Sequence, residues 1–357
     1  MKKILGLTIL GLSVIALAGC SSKTKLYILN WQEYISEDLI EEFEDEFNVQ
    51  VVERNLVSNE LMYGDLKMKT ADYDVVFPSD YMIEKLSNEN LIIELDPTKL
   101  PNLYKDDNTR IDYTTGLETY IEGCGYEDYF VPYFWGSLGI MYKTVDGDTS
   151  IEDTVKSQEW GVFFNDTGYK TAMYDVSRDA YAAAQMYLGY DLNNYTTEQL
   201  KECTTLLKDF NYDVWGTDDI KGRISRGAID IGLVYSGDFF DQLYADDYVG
   251  NYNIYIPDTN NVFFDAMCIP TISKNQDLAY EFINFMIDKE NSIENASYVG
   301  YCPVFNDVYE AVMADEEMND VTEYPAWNPA HITNGTVYRD LGTSKYNEME
   351  EEFKKTK

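Results

Sequence analysis

Between residues 26 and 77 the chain switches repeatedly between a strand-like and a helix-like hydrophobic period, and this alternation restricts its fold more than any other feature. Leu26-Tyr27-Ile28-Leu29 reads as a strand. Ser36 then stands as an N-cap before a helix through about Phe47, with Leu39, Ile40, Phe43 and Phe47 on one face. Val49–Val52 is a second strand and Asn59–Lys69 a second helix. Tyr73-Asp74-Val75-Val76-Phe77 is a third strand, stopped by Pro78-Ser79. A β-α-β-α-β series predicts a parallel sheet covered by helices.

The second half keeps the style without repeating the sequence. Thr171–Tyr174 is predicted as a strand entering a helix over about Asp179–Leu188, and Thr197 caps a helix with Leu200, Cys203, Leu207 and Phe210 on one face. Asp230–Tyr235 reads as a buried strand with Gly237–Tyr244 helical behind it. Asn253–Ile256 and Ala266–Ile269 are short strands, Leu278–Ile287 is an apolar-striped helix, and residues 345–357 form a charged surface helix. The roughly 330 residues after position 25 suffice for two core-bearing lobes. A hydrophobic content of 45%, with 15% aromatic residues, excludes a disordered chain despite a net charge of −37. So acidic a surface repels nucleic acid and steers cations toward clefts. Solubility alone also explains such acidity, so the charge does not name a ligand.

Lys2 and Lys3 precede the apolar run Ile4 to Leu17, which ends in Leu17-Ala18-Gly19-Cys20. This order predicts a secretion signal over residues 1–19, too short for a comfortable membrane span. Its ending resembles a bacterial lipobox, which implies a diacylated Cys20 and a polar tether over residues 20–25. The protein is then expected outside the cytoplasmic membrane, held by acyl chains. Cys124, Cys203, Cys268 and Cys302 allow three disulfide pairings, and no spacing favours one of them or the alternative of isolated thiols.

Two α/β lobes place a ligand where strand ends meet across a cleft. The residues to weigh are Trp31, Glu33 and Tyr34 after the first strand, and Ser79, Asp80 and Tyr81 after the third. Asp175 and Asp179 follow the Thr171 strand, Tyr235 and Asp238 follow the Asp230 strand, and Phe263, Phe264 and Asp265 lie near the late crossover. Rings beside carboxylates suit an organic cation, with about 0.5–2 kcal/mol per cation–π contact and more per charge-assisted hydrogen bond. With 31 tyrosines and 64 acidic residues, ordinary core rings and solvated acids account for many such positions.

At these positions the chain resembles the extracytoplasmic spermidine/putrescine-binding proteins of bacterial ABC transporters, a branch of the periplasmic-binding-protein-like fold. The likeness is carried by Leu26 to Tyr34, Ser58-Asn59-Glu60 with Met62-Tyr63, Tyr73 to Tyr81, Val131-Pro132-Tyr133-Phe134-Trp135-Gly136, Asp175-Val176-Ser177-Arg178-Asp179, Phe282-Ile283-Asn284-Phe285 and Val299-Gly300-Tyr301-Cys302-Pro303. It implies a two-lobed type II α/β fold with a hinge, lobe 1 being residues 26–134 plus 265–310 and lobe 2 residues 135–264 plus 311–357. It also implies a binding protein rather than an enzyme, a receptor that closes on a polyamine and docks on permease subunits as a monomer. Trp31, Tyr34, Ser79, Tyr81, Asp265 and Tyr301 match the family's ligand-contacting positions. Tyr235 and Phe263 stand where the family often has tryptophan, and Tyr338 stands near a family glutamine. Asp179 aligns with a family glutamate beside Arg178, which more naturally orients a neighbouring acid than touches a cation. Asp80 and Asp175 are further acidic candidates. No cofactor or metal is implied.

Other readings remain open: a receptor of the same fold for another organic cation, a peptide or a metal, and a secreted carboxylate-dependent hydrolase. The single histidine, His331, lies beside a Pro-rich stretch without a nucleophile-elbow pattern, which speaks against a Ser-His-acid mechanism. The acidic turn from Asp146 to Asp153 lacks the EF-hand order of ligands.

Overall fold

A computed structural model describes residues 23–105, 109–122, 124–243, 251–314 and 334–357. The expectations for residues 1–22, including Cys20, and for Tyr244, Pro325 to Pro329 and His331 lie outside the described residues.

The N-terminal alternation folds as β1 (Thr24–Asn30), α1 (Glu37–Phe47), β2 (Val49–Asn55), α2 (Asn59–Met68) and β3 (Val75–Val76), followed by α3 (Asp80–Asn88) and the single turn α4 (Glu118–Ile121). The sheet has the order β2-β1-β3, all parallel. Leu39 and Phe43 turn one face of α1 into the core. Ser36 occupies the N-cap position of α1, but its side chain donates to Glu294 instead of capping. The third strand is shorter than predicted, with ladder pairing at Val75 and Val76, and just before it stands Asp74, whose N–H donates to the Tyr27 carbonyl at 2.7 Å. Its carboxylate accepts from the backbone N–H of Tyr27, Lys274 and Asn275 and from the Ser273 hydroxyl.

Two long strands connect this unit to the rest: β4 (Val131–Lys143) and, after the elements named next, β9 (Thr259–Met267). Between them lie α5 (Ser150–Gln158), β5 (Thr171–Tyr174), α6 (Ser177–Leu188), α7 (Thr197–Asp209), β6 (Val214–Gly216), α8 (Asp219–Ser225), β7 (Ile231–Tyr235), α9 (Ser236–Leu243) and β8 (Tyr252–Tyr255). The chain continues through α10 (Gln276–Met286), α11 (Lys289–Val299), β10 (Cys302–Pro303), α12 (Asn306–Ala314), β11 (Asn334–Thr336) and α13 (Gly342–Phe353). The cap of α7 is Thr196, not Thr197. Thr196 and Gln199 satisfy each other's backbone N–H groups in a capping box.

The second sheet runs β11-β9-β4-β7-β5-β6, with β8 and β10 also paired to β4. The N-terminal half of β4 pairs with Val262–Met267 of β9 and with β10, whereas its C-terminal half pairs with β7 and β8. Past its end, β9 joins the first unit through an antiparallel bridge between Val76 and Cys268, and a second bridge joins Ser79 to Asp265. Thus β4 and β9 run between two sheeted units. All of β4 except Lys143 is buried, as expected of a strand covered on both faces. Among the described residues no disulfide joins two cysteines, and no helix is long and apolar enough to cross a membrane.

Candidate functional site

Alternation along β9 puts Phe263 and Asp265 on one face, about 7 Å apart, while Phe264 turns into the core and stacks on Phe130 at 5.4 Å. Asp265 is buried between the two units. Its Oδ1 accepts from the Ser79 hydroxyl at 2.6 Å and its Oδ2 from the Tyr34 hydroxyl at 2.9 Å. Burial pushes the carboxyl up to about 6, and these two hydrogen bonds oppose the rise. Tyr34 is held in turn by β4. A bulge between Pro132 and Phe134 turns Tyr133 out of register, and the Tyr133 hydroxyl donates to the Tyr34 carbonyl at 2.7 Å.

A second buried carboxyl, Asp179, lies in the first turn of α6. Its Oδ2 accepts from the Tyr235 hydroxyl at 2.9 Å. Burial pushes this group too up to about 6, against the Tyr235 hydrogen bond and the Arg178 charge. Tyr235 ends β7, and its backbone N–H donates to Asp238 Oδ2 at 3.1 Å in the first turn of α9. Asp238 also faces the Tyr301 hydroxyl at 3.4 Å and the Lys221 ammonium at 3.5 Å.

Rings connect the two carboxyls. Tyr34 meets Tyr301 at 5.3 Å, Tyr301 meets Phe263 at 6.3 Å, and Phe263 meets Tyr235 at 5.2 Å, all edge to face. Gly300, at φ 78°, ends α11 in the left-handed conformation and turns the chain so that Tyr301 enters this row. The ring of Tyr301 lies directly over Gly237, where a Cβ would stand 2.1 Å from it. The row therefore requires glycine at that position. In all, Asp265, Tyr34, Tyr301, Phe263, Tyr235 and Asp179 form an aromatic track with a buried carboxyl at each end. Such a track suits a ligand with cationic ends and an apolar middle.

The remaining predicted residues divide. Ser79 is at the Asp265 end, as described. Asp80 is fully buried; its Oδ1 accepts from the Tyr81 backbone N–H at 2.6 Å, and its Oδ2 has no partner among the described residues. Burial, reinforced by Asp265, holds the Asp80 carboxyl well above the usual range. The Tyr81 hydroxyl donates to Glu60 at 3.0 Å, and the Tyr338 hydroxyl to the Arg178 carbonyl at 3.2 Å. Trp31 is half-buried against the core, with its indole Nε1 buried and unpartnered among the described residues, and it joins no ring of the track. Asp175 is placed elsewhere: it pairs with the ammonium of Lys357, and the structure does not bring it to the track. Glu33 is exposed, at φ 54°. The role of Glu60 as acceptor for Tyr81, and the packing of Tyr174 on Tyr235 at 5.3 Å, have no local signal in the sequence. No three His, Cys, Asp or Glu side chains converge as a metal site would require among the described residues.

The family model for bacterial extracellular solute-binding proteins matches residues 38–329. The spermidine/putrescine-binding periplasmic protein of Escherichia coli is 28% identical over 357 residues, spanning 98% of this chain and 96% of that protein. A putrescine-binding periplasmic protein of Pseudomonas aeruginosa is 28% identical over 91% of this chain and 90% of its own length. The solved spermidine/putrescine ABC transporter substrate-binding protein of Streptococcus pneumoniae superposes with a TM-score of 0.72 at 31% identity, covering 94% of this chain and 100% of that one. The chain belongs to the bacterial extracellular solute-binding proteins, and is a binding protein of the two-lobed periplasmic-binding-protein-like fold rather than an enzyme.

Proposed function

We propose that this protein captures polyamines for an ABC importer. The observation that carries the reading is the aromatic track with Asp265 at one end and Asp179 at the other. The relatives named for spermidine and putrescine support it. An extended amine lays its methylenes along Tyr34, Tyr301, Phe263 and Tyr235, at about 0.8 kcal/mol per buried CH₂. Its ammonium groups replace the hydroxyl donors on Asp265 and Asp179, since buried charges must be paired. Ser79, Asp80, Tyr81 and Tyr338 complete the walls, and Trp31 stands at the margin.

In this proposal the lobes are residues 26–134 plus 265–310 and residues 135–264 plus 311–357, and they hinge within β4 and β9. Cys20 carries the lipid that holds the monomeric receptor at the outer face of the membrane, and the closed form delivers its ligand to the permease.

Calorimetry with putrescine and spermidine tests the reading. One amine binds per protein at neutral pH, and Asp265→Asn or Asp179→Asn weakens binding by about 30-fold or more, the worth of one charge-assisted hydrogen bond in a closed site. Absence of binding to both amines by the native protein contradicts it.

A further inference from the structure

Tyr235 and Phe263 of the track are fixed by the second sheet. Tyr235 ends β7, which pairs with β4, and Phe263 lies over Gly136, its register partner on β4, where a Cβ would stand 2.9 Å from the ring. Tyr301 comes to them from the first unit. It follows α11, whose Asn295 Oδ1 accepts from the Ser36 backbone N–H at 2.9 Å, and it precedes β10, which pairs with Phe134 and Trp135 in the N-terminal half of β4.

The ring of Tyr301 comes down on the first turn of α9, where Ser236, Gly237 and Asp238 follow one another. Ser236 Oγ accepts from the Ser137 N–H at 3.1 Å, which pins this turn to β4 at the place where β4 exchanges β9 for β7 as its partner. Asp238 Oδ2 accepts from the Tyr235 N–H at 3.1 Å, while its Oδ1 lies 3.4 Å from the Tyr301 hydroxyl and 3.5 Å from the Lys221 ammonium. Both Ser236 and Asp238 are buried. The backbone does not require glycine between them, because Gly237 has no positive φ, and glycine weakens a helix relative to alanine. The ring requires it. A Cβ at this position would stand 2.1, 2.2 and 2.4 Å from Cε2, Cδ2 and Cγ of Tyr301, which would be its three nearest neighbours. Carbon atoms in contact rest about 3.5–4.0 Å apart, so a methyl group here would push the ring off the turn.

We propose that Ser236, Gly237 and Asp238 are positioning residues that form a seat for Tyr301 of the opposite unit, so that the aromatic track is completed only when the two units close. The inference rests on the polyamine reading above. Ser236 and the Tyr235 N–H hold the seat rigid, Gly237 leaves room for the ring, and Asp238 takes its hydroxyl. A tyrosine that lines the ligand and also crosses to the other unit makes amine binding and closure one event.

Calorimetry with putrescine and spermidine, together with X-ray scattering, tests the inference on the native protein, Gly237→Ala, Tyr301→Ala and the double variant. Saturating amine contracts the native protein. Gly237→Ala binds the amines about tenfold or more weakly, as an overpacked contact does, and saturating amine does not bring it to the native radius. In the Tyr301→Ala background the same change at Gly237 alters affinity by less than about twofold, because the methyl group has no ring to meet. Tyr301→Phe keeps the ring and loses the contact with Asp238, and it releases amine about three- to tenfold faster. Native affinity in Gly237→Ala overturns the inference, as does an equal loss from that change in both backgrounds. An unchanged release rate in Tyr301→Phe overturns it even where Gly237→Ala does not fold. Failure of both amines to bind the native protein would instead remove the polyamine reading, and the inference with it.

Discussion

Asp265 and Asp179 are costly to bury, and in the proposed function a ligand ammonium relieves both. In the ligand-free protein each carboxyl is raised from 3.8 to about 6 by burial. Between about pH 4 and 6 the folded protein therefore holds protons that the unfolded chain has lost. Stability from these groups falls as the pH rises through that window, and the full cost, on the order of 3 kcal/mol each, stands above it. Thermal unfolding of the ligand-free protein should accordingly show a contribution to Tm that declines from about pH 4 to 6 and is lost in the Asp179→Asn/Asp265→Asn double variant. The Tm gain from putrescine should be largest near pH 7 and shrink below about pH 6, where the carboxyls are protonated. At this scale the sequence is informative where acid and ring share a strand end: Phe263 and Asp265 must lie on one face of any strand that holds them. It is uninformative where the partner is remote. Nothing near Asp175 signals that Lys357 reaches it, and nothing near Asp80 signals that burial leaves one of its oxygens unpartnered among the described residues.

Among the elements, the segment after β11 clasps α3. The Arg339 guanidinium and the Asp340 backbone N–H both donate to Glu84, at 2.8 and 2.9 Å, and Lys85 faces Asp340 at 3.6 Å. Asn193 fixes the same segment from the other side, accepting from the Arg339 N–H at 2.8 Å and donating to the Val337 carbonyl at 2.9 Å. Glu84→Ala removes the acceptor shared by Arg339 and Asp340, and it should speed amine release and weaken affinity by about three- to tenfold. Stopped-flow displacement measures this, and an unchanged release rate would show that the clasp does not hold the cleft shut. The N-terminal strands and helices were legible because their hydrophobic periods differ. β4 was not: a continuous apolar run broken by Pro132, Gly136 and Gly139 fits neither period. α3 was hidden because Pro78-Ser79 marks the end of a strand as readily as the start of a helix.

For the whole molecule, two units are joined by β4 and β9, and the proposed closure bends a few residues of these strands. The two-lobed architecture was foreseeable from two separate α/β series on one chain, but the path of β4 and β9 between them depends on pairings far apart in sequence, such as Val76 with Cys268. In the proposed reading, attachment to the membrane rests on Cys20. Cys20→Ala should release the protein from the membrane fraction and abolish incorporation of labelled fatty acid. Retention of label would place the lipid on another residue.

The most direct test of the cation track is a crystal structure of the protein grown with saturating putrescine. The ligand should lie along Tyr34, Tyr301, Phe263 and Tyr235, with one ammonium in hydrogen-bond contact with Asp265 and the other with Asp179. A diamine bound elsewhere, with Asp265 still bonded to Ser79 and Tyr34 alone, would contradict the account.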